Sequence, residues 1–313
     1  MDRSSPVRDL VRVLGAPPRR PGRRAGTIGS AAAAGRCRVA APDVAGTGSV
    51  GDRGLGSKVA VVTGGSSGIG LAVAERLAAE GAHLVLAARS ADRLEGESQR
   101  LREAHGVRVR AVPCDVGTPE GTDALVRATQ EEFGGADILF NNAGTGSNET
   151  ILQAPDEKWQ AFWDLHVMSA VRLARGLVPG MAARGGGVVV HNASICAVQP
   201  LGYEPIYNVT KAALMMFSKN LANEVVGQGI RVNCVNPGLV LTPDWVNTAK
   251  ELTADTGGDW QGYLDGIARE HAPIQRFAAP EEVAAFVVFL CSDQASYCVG
   301  STYFVDGGWL RTV

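Results

Sequence analysis

From Lys58 onward, short apolar runs alternate with amphipathic stretches. "KVAVVTG" is a run of the fully buried, parallel-sheet type. "GIGLAVAERLAAEG" then spaces its apolar residues for one helical face and stops at Gly81. The pair of patterns recurs. "HLVLAAR" precedes the helix "ADRLEGESQRLREAHG", and "VRVRAVPCDV" precedes "EGTDALVRATQEEFG". "ADILFNNAG", "GGGVVVHNAS", "IRVNCVNPG" and "STYFVDGG" complete the strands, each separated by helical spacing. Seven strands alternating with helices predict an α/β fold: a doubly wound, seven-stranded parallel sheet. About 260 residues suit a single domain of this kind, and we place it at residues 54–313.

Composition separates the first 53 residues from the rest. They carry ten arginines against four aspartates, a charge of +6, and no aromatic residue. Such a stretch buries too little apolar surface to offset its ordering entropy, so a disordered N-terminal extension is expected. A transit peptide, a nucleic-acid-binding tail and an over-long reading frame are the other readings of it. With −2 overall, the remaining chain carries −8, which disfavours nucleic-acid binding by the main body. No apolar run approaches the roughly 18 residues of a membrane helix. The six cysteines, at 37, 114, 196, 234, 291 and 298, form no C-x-x-C pair. No metal site or disulfide framework is expected, and reduced thiols point to a cytoplasmic protein.

The first strand runs into "TGGSSGIG", Thr63 to Gly70, which opens the first helix. Gly64, Gly68 and Gly70 suit a tight turn and close backbone approach to a pyrophosphate, with Ser66, Ser67 and Ile69 completing the loop. The helix N-terminus adds N–H donors and a favourable dipole. This is the dinucleotide loop of a Rossmann-type domain. After strand two, Ala88 stands where NAD-binding chains place a ribose-binding acid, and Arg89 follows it. Arg89 can pair with a 2′-phosphate, so NADP(H) is the preferred cofactor and NAD(H) the second choice.

"LGYEPIYNVTK" offers two tyrosines and a lysine. A helix starting near Pro205 puts Tyr207 and Lys211 on one face, a turn apart, with Tyr203 in the loop before it. Ser194 lies thirteen residues upstream of Tyr207, just after "VVVHNA". With Thr63–Gly70, Asp115, "NNAG" at 141–144, and "NPGLVLT" at 236–242, these pieces occur in the order of the short-chain dehydrogenase/reductase family. From residue 56 to 313 the chain resembles that family's compact, non-extended branch.

The resemblance implies catalysis by Ser194, Tyr207 and Lys211, with Lys211 also holding the nicotinamide ribose. It implies a cofactor pocket lined by Asn142, Ala143 and Gly144, with Asp115 and Val116 by the adenine. Pro237, Gly238, Val240 and Thr242 would pass the nicotinamide. A reacting carbonyl gains a proton on oxygen. Tyrosine, at an unperturbed pKa of about 10, needs help to exchange one near neutrality. The expectation is that the Lys211 ammonium lowers the phenol's pKa. His166 stands where many family members have an Asn that holds a helix distortion and a relay water. A proton relay through the main chain should survive, and His166 is either a general base or, the better expectation, a packed ring.

Residues 239–276 fall where the family carries its variable substrate lid. Trp245, Trp260 and Tyr263 either line a cleft or pack the lid, and Gly257–Gly258 should break it into two helices. The helix after Tyr207 is apolar on several sides, and the family pairs this helix in oligomers, so a homotetramer is expected, then a homodimer. The reading is an NADP(H)-dependent oxidoreductase interconverting a secondary alcohol and a ketone, with Tyr207 as acid/base. Steroid, acyl-thioester, terpenoid and sugar-type substrates stay open. The alternative is a catalytically silent NADP(H)-binding regulator, favoured only by His166. Sugar-nucleotide epimerisation is opposed by the glycine spacing and chain length.

Overall fold

The computed structural model describes residues 53–312. The extension read over residues 1–53 lies, but for Arg53, outside the described residues. Seven parallel strands form one sheet in the order β3-β2-β1-β4-β5-β6-β7. They are β1 (Val59–Thr63), β2 (His83–Ala88), β3 (Val109–Pro113), β4 (Ile138–Asn141), β5 (Gly187–Asn192), β6 (Ile230–Pro237) and β7 (Thr302–Val305). All seven match the apolar runs. The chain winds outward from β1 in one direction and from β4 in the other. The switch point between them opens a crevice at the carboxyl edge of the sheet.

Both faces of the sheet are covered, which is why the strands read as continuous apolar runs. In β1, Ala60 and Val62 pack with α1 (Gly68–Ala79), α2 (Ala91–His105) and the late helix Pro280–Cys291. Val59 and Val61 face the opposite layer. That layer comprises α3 (Pro119–Phe133) and two helices described next. The first follows α4 (Asp156–Trp163), a π-helical turn at Asp164–Met168, and continues as α5 (Ser169–Ala183). The second is α6 (Pro205–Val225), with Pro205 in its first turn, where a missing N–H costs nothing. At the π-turn the Ser169 N–H reaches back five residues to the Asp164 carbonyl, and the Ser169 hydroxyl takes the Leu165 carbonyl.

The segment read from the sequence as a lid folds as α7 (Pro243–Thr253) and α8 (Trp260–His271). Gly257 and Gly258, at φ 97° and 75°, make the expected break, in backbone that disfavours any side chain. The Pro280–Cys291 helix is α9. No helix among the described residues is long and apolar enough to cross a membrane.

Candidate active site

The glycine loop has the shape its spacing predicts. A Cβ on Gly70 would lie 2.1 Å from the Gly64 carbonyl oxygen, and one on Gly64 would lie 2.8 Å from Asn142 Nδ2. Gly64 and Gly68 also sit at φ 67° and 53°. Ser67 is the N-cap of α1, yet its side chain caps nothing, and the first turn holds no acid. The loop thus presents free N–H groups and a positive helix end to an anion. Ser66 is buried, and Ile69 packs on the core below. Arg89 is exposed beyond β2, and among the described residues no carboxylate pairs with it. Asp115, past β3, accepts from the Gly117 N–H at 2.9 Å, and Val116 beside it is buried.

The segment after β6 comes to the same place. Gly238 passes so close to Asp306 that a Cβ would lie 2.8 Å from its Cα. Pro237 ends β6, and Val240 is buried. Thr242 Cγ2 lies 3.3 Å from where a Cβ on Gly68 would stand, so the lid springs from the lip of the glycine loop. These residues fit a dinucleotide: a cradle that tolerates no side chain, open helix donors, and past β2 an exposed arginine with no carboxylate partner among the described residues.

A hydrogen-bond chain joins this cradle to Lys211. Thr63 Oγ1 accepts from the N–H groups of Asn142 and Ala143, at 2.8 and 3.0 Å. Asn142 Nδ2 donates to the Thr63 carbonyl at 2.9 Å, and its Oδ1 accepts from Asn192 Nδ2 at 2.9 Å. The Asn192 carbonyl accepts from Lys211 Nζ at 2.9 Å. Lys211 is 3% exposed, and burial pushes its ammonium down to about 8. Near neutral pH it is still mostly charged.

Tyr207 is part-buried, with the Ser194 hydroxyl near enough to act on its phenol and Lys211 Nζ 5.4 Å from its ring centroid. Ser194 Oγ also accepts from the Cys196 N–H at 3.2 Å, which fixes the hydroxyl at the end of β5. The phenol's pKa is raised, not lowered as the sequence suggested. Desolvation is the main cause, the Cys196 thiol and Glu204 carboxyl reinforce it, and the Ser194 hydroxyl opposes it. Tyr207 therefore stands protonated, the form that can give a proton to a carbonyl oxygen.

His166 lies in the π-turn, 2% exposed, edge-on to the Tyr207 ring at 5.5 Å between centroids. The Thr145 N–H approaches its Nε2 at 3.3 Å, so Nε2 accepts and Nδ1 carries the proton. Nδ1–H then donates to Thr210 Oγ1 at 2.8 Å, and that hydroxyl donates to the Ile206 carbonyl at 2.9 Å. Burial and the Lys211 charge hold the ring's pKa well below 6.5, so the ring is neutral. Gly144 lets the backbone pass: a Cβ there would lie 3.1 Å from His166 Nε2 and 3.4 Å from Lys211 Nζ.

The lid aromatics divide. Trp245 packs edge-on against Phe277 and joins the apolar cluster that holds Tyr207 and Cys196. Trp260 takes the Lys250 ammonium at 5.3 Å, a contact within the lid. Burial raises the Tyr203 phenol, and Tyr263 lies near enough to add to that after Glu204 and Cys196. Three groups escaped the sequence reading. Asn192 and Thr210 position Lys211 and His166 but sit in no spacing pattern. Glu204 was in plain view beside Tyr203, but its partial burial is not legible from its neighbours in sequence.

Comparison with known proteins agrees with this geometry. A family model described as enoyl-(acyl carrier protein) reductase matches residues 64–310. Dehydrogenase/reductase SDR family member 4 of Oryctolagus cuniculus is 39% identical over 255 residues, 81% of this chain and 94% of that protein. The short-chain reductase NovJ of Streptomyces niveus is 34% identical over 250 residues, 80% of this chain and 93% of its own. Among solved structures, L-sorbose reductase from Gluconobacter frateurii, complexed with NADPH and L-sorbose, is 70% identical with a TM-score of 0.83. That match covers 84% of this chain and 100% of the other.

Proposed function

From the premise that the chain belongs to the short-chain dehydrogenase/reductase family and is an oxidoreductase, we propose that it reduces the carbonyl of a ketose to a secondary alcohol. NADPH is its preferred reductant, as the unpaired Arg89 and the NADPH-complexed relative support. When bound, NADPH supplies the hydride. The observation that carries the reading is the Tyr207 phenol, kept protonated by burial beside the Ser194 hydroxyl, with the buried Lys211 ammonium 5.4 Å from its ring. Ser194 orients the substrate oxygen, and Tyr207 delivers the proton that the carbonyl oxygen needs. The resulting phenolate is stabilised by Lys211, whose position is set by the Asn192 carbonyl. His166, with both nitrogens engaged, serves as a positioning residue that ties the loop at Thr145 to α6 through Thr210. The sugar class follows from the L-sorbose complex of the 70%-identical relative.

Val209 and Met216 leave an apolar strip exposed on α6, which supports self-association as a dimer or tetramer. The deciding experiment incubates the full chain with NADPH and L-sorbose, other ketohexoses and simple ketones, following NADPH absorbance. Oxidation of NADPH with a polyol product is expected. NADPH binding without turnover of any carbonyl would return the silent-regulator reading.

A further inference from the structure

Between α3 and α5 lies an open cavity of about 420 Å³, lined by Asp123, Val126, Arg127, Arg172, Arg175 and Gly176. Helical spacing assembles it. Residues 123, 126 and 127 share one face of α3, and residues 172, 175 and 176 share one face of α5. None of them is a residue of the dinucleotide cradle or of the site around Tyr207. A Cβ on Gly176 would lie 2.6 Å from Val126 Cγ2, so the two helices close on each other there and seal an apolar floor. Three guanidiniums line the rest. Arg172 is partly buried and held in place: Nη1 donates to the Gly117 carbonyl at 3.0 Å and Nη2 to Asp164 Oδ1 at 2.7 Å. Its other N–H groups are thereby oriented in advance. Arg127 and Arg175 are exposed, and among the described residues no carboxylate pairs with either.

The chain from residue 54 onward carries −8, so three arginines converging on one concavity run against its overall charge. A concave wall of one sign focuses its field and draws the opposite charge. Guanidinium forks match the oxygens of phosphate. The two unpaired ones together carry +2, which balances a phosphomonoester of about −1.5 to −2 near neutrality. Asp123 decides the rest of the ligand. It repels a bare oxyanion seated beside it but accepts a hydrogen bond from a hydroxyl. Small-molecule sites occupy roughly 300–1,000 Å³, so this volume leaves room for a carbon chain beyond the phosphate.

We infer that this cavity binds a phosphorylated polyol, with its phosphate on Arg127, Arg175 and the pre-oriented Arg172, and a hydroxyl of its carbon chain on Asp123. The site is separate from the one that carries the proposed reduction, and stands whether or not that reading does.

Calorimetric titration of the full chain with D-sorbitol 6-phosphate and with inorganic phosphate tests this. Saturating NADPH fills the cofactor cradle beforehand, and the probe has no carbonyl to reduce. D-Sorbitol 6-phosphate should bind roughly tenfold more tightly than inorganic phosphate. Arg127→Gln with Arg175→Gln should weaken it at least roughly tenfold, and Asp123→Ala should bring the two ligands within roughly threefold of each other. No binding of D-sorbitol 6-phosphate at millimolar concentration overturns the inference, as does binding that the arginine double variant leaves unchanged. Equal affinity for the two ligands in wild type, or a preference that survives Asp123→Ala, overturns the polyol assignment. Sedimentation velocity covers the other occupant. If the double variant splits an oligomer that wild type keeps, and wild type binds neither ligand, the cavity faces carboxylates of a second copy and the inference falls. Thermal unfolding checks that the variants are folded. Should the double variant not fold, phenylglyoxal labelling of wild type decides: D-sorbitol 6-phosphate should protect Arg127 and Arg175, and undiminished labelling of both overturns the site.

Discussion

His191 stands near the carboxyl end of β5, fully buried, with neither ring nitrogen hydrogen-bonded among the described residues. Its ring meets Phe217 edge-on at 5.5 Å, and its cross-strand neighbour on β6 is Cys234. Burial, helped by the Lys211 charge, pushes its pKa from 6.5 down to about 3. The folded state therefore holds the ring neutral, while the unfolded chain protonates it below pH 6.5. Stability from this group is complete above about pH 6.5 and is lost as pH falls toward 3. At about 1.4 kcal/mol per pKa unit, the loss between pH 8 and pH 5 is about 2 kcal/mol, reaching about 5 kcal/mol near pH 3.

His191→Val removes the titration while keeping a β-branched residue in the strand. His166 contributes in the same direction, and Glu204, whose raised pKa makes its contribution fall as pH rises, in the opposite one. Both are common to wild type and variant and cancel in the difference. Urea unfolding of the two proteins, at pH 8, 6.5 and 5 and one protomer concentration, measures that difference. The variant should gain about 2 kcal/mol on wild type between pH 8 and pH 5. A gap that stays constant with pH would refute a neutral, unpartnered His191.

Tyr207→Phe should abolish ketone reduction while NADPH still binds, seen by quenching of protein fluorescence; Tyr203→Phe should keep most activity, and the reverse pattern would mean the wrong tyrosine. Ala88→Asp with Arg89→Leu should turn cofactor preference toward NADH, read as kcat/KM for both cofactors. Arg89 is exposed, so its phosphate contact is worth roughly tenfold, and a wild type that already prefers NADH would remove Arg89 from that role. A chain beginning at Gly54 should keep its melting temperature and activity, and a large fall in either would show that residues 1–53 dock on the body.

The sheet was readable from the apolar runs alone, because burial on both faces demands them, and every one of the seven became a strand. The sequence also determined the glycine loop, since Gly64 and Gly70 answer steric demands of the loop itself, though the partners they meet include Asn142. Tyr207 and Lys211 were legible because a helix starting at Pro205 puts positions four apart on one face. Whatever depends on how much water reaches a group came only with the packing of distant segments. That packing raised the Tyr207 phenol that a neighbouring ammonium alone would have lowered, and it fixed His166 in one neutral tautomer between Thr145 and Thr210. It also set Glu204 against Glu149, residues 55 positions apart in a chain that gives no local sign of their meeting. Periodicity encodes which face of an element is buried. Protonation depends on desolvation and on charges brought from distant segments, and those exist only once the chain has closed around them.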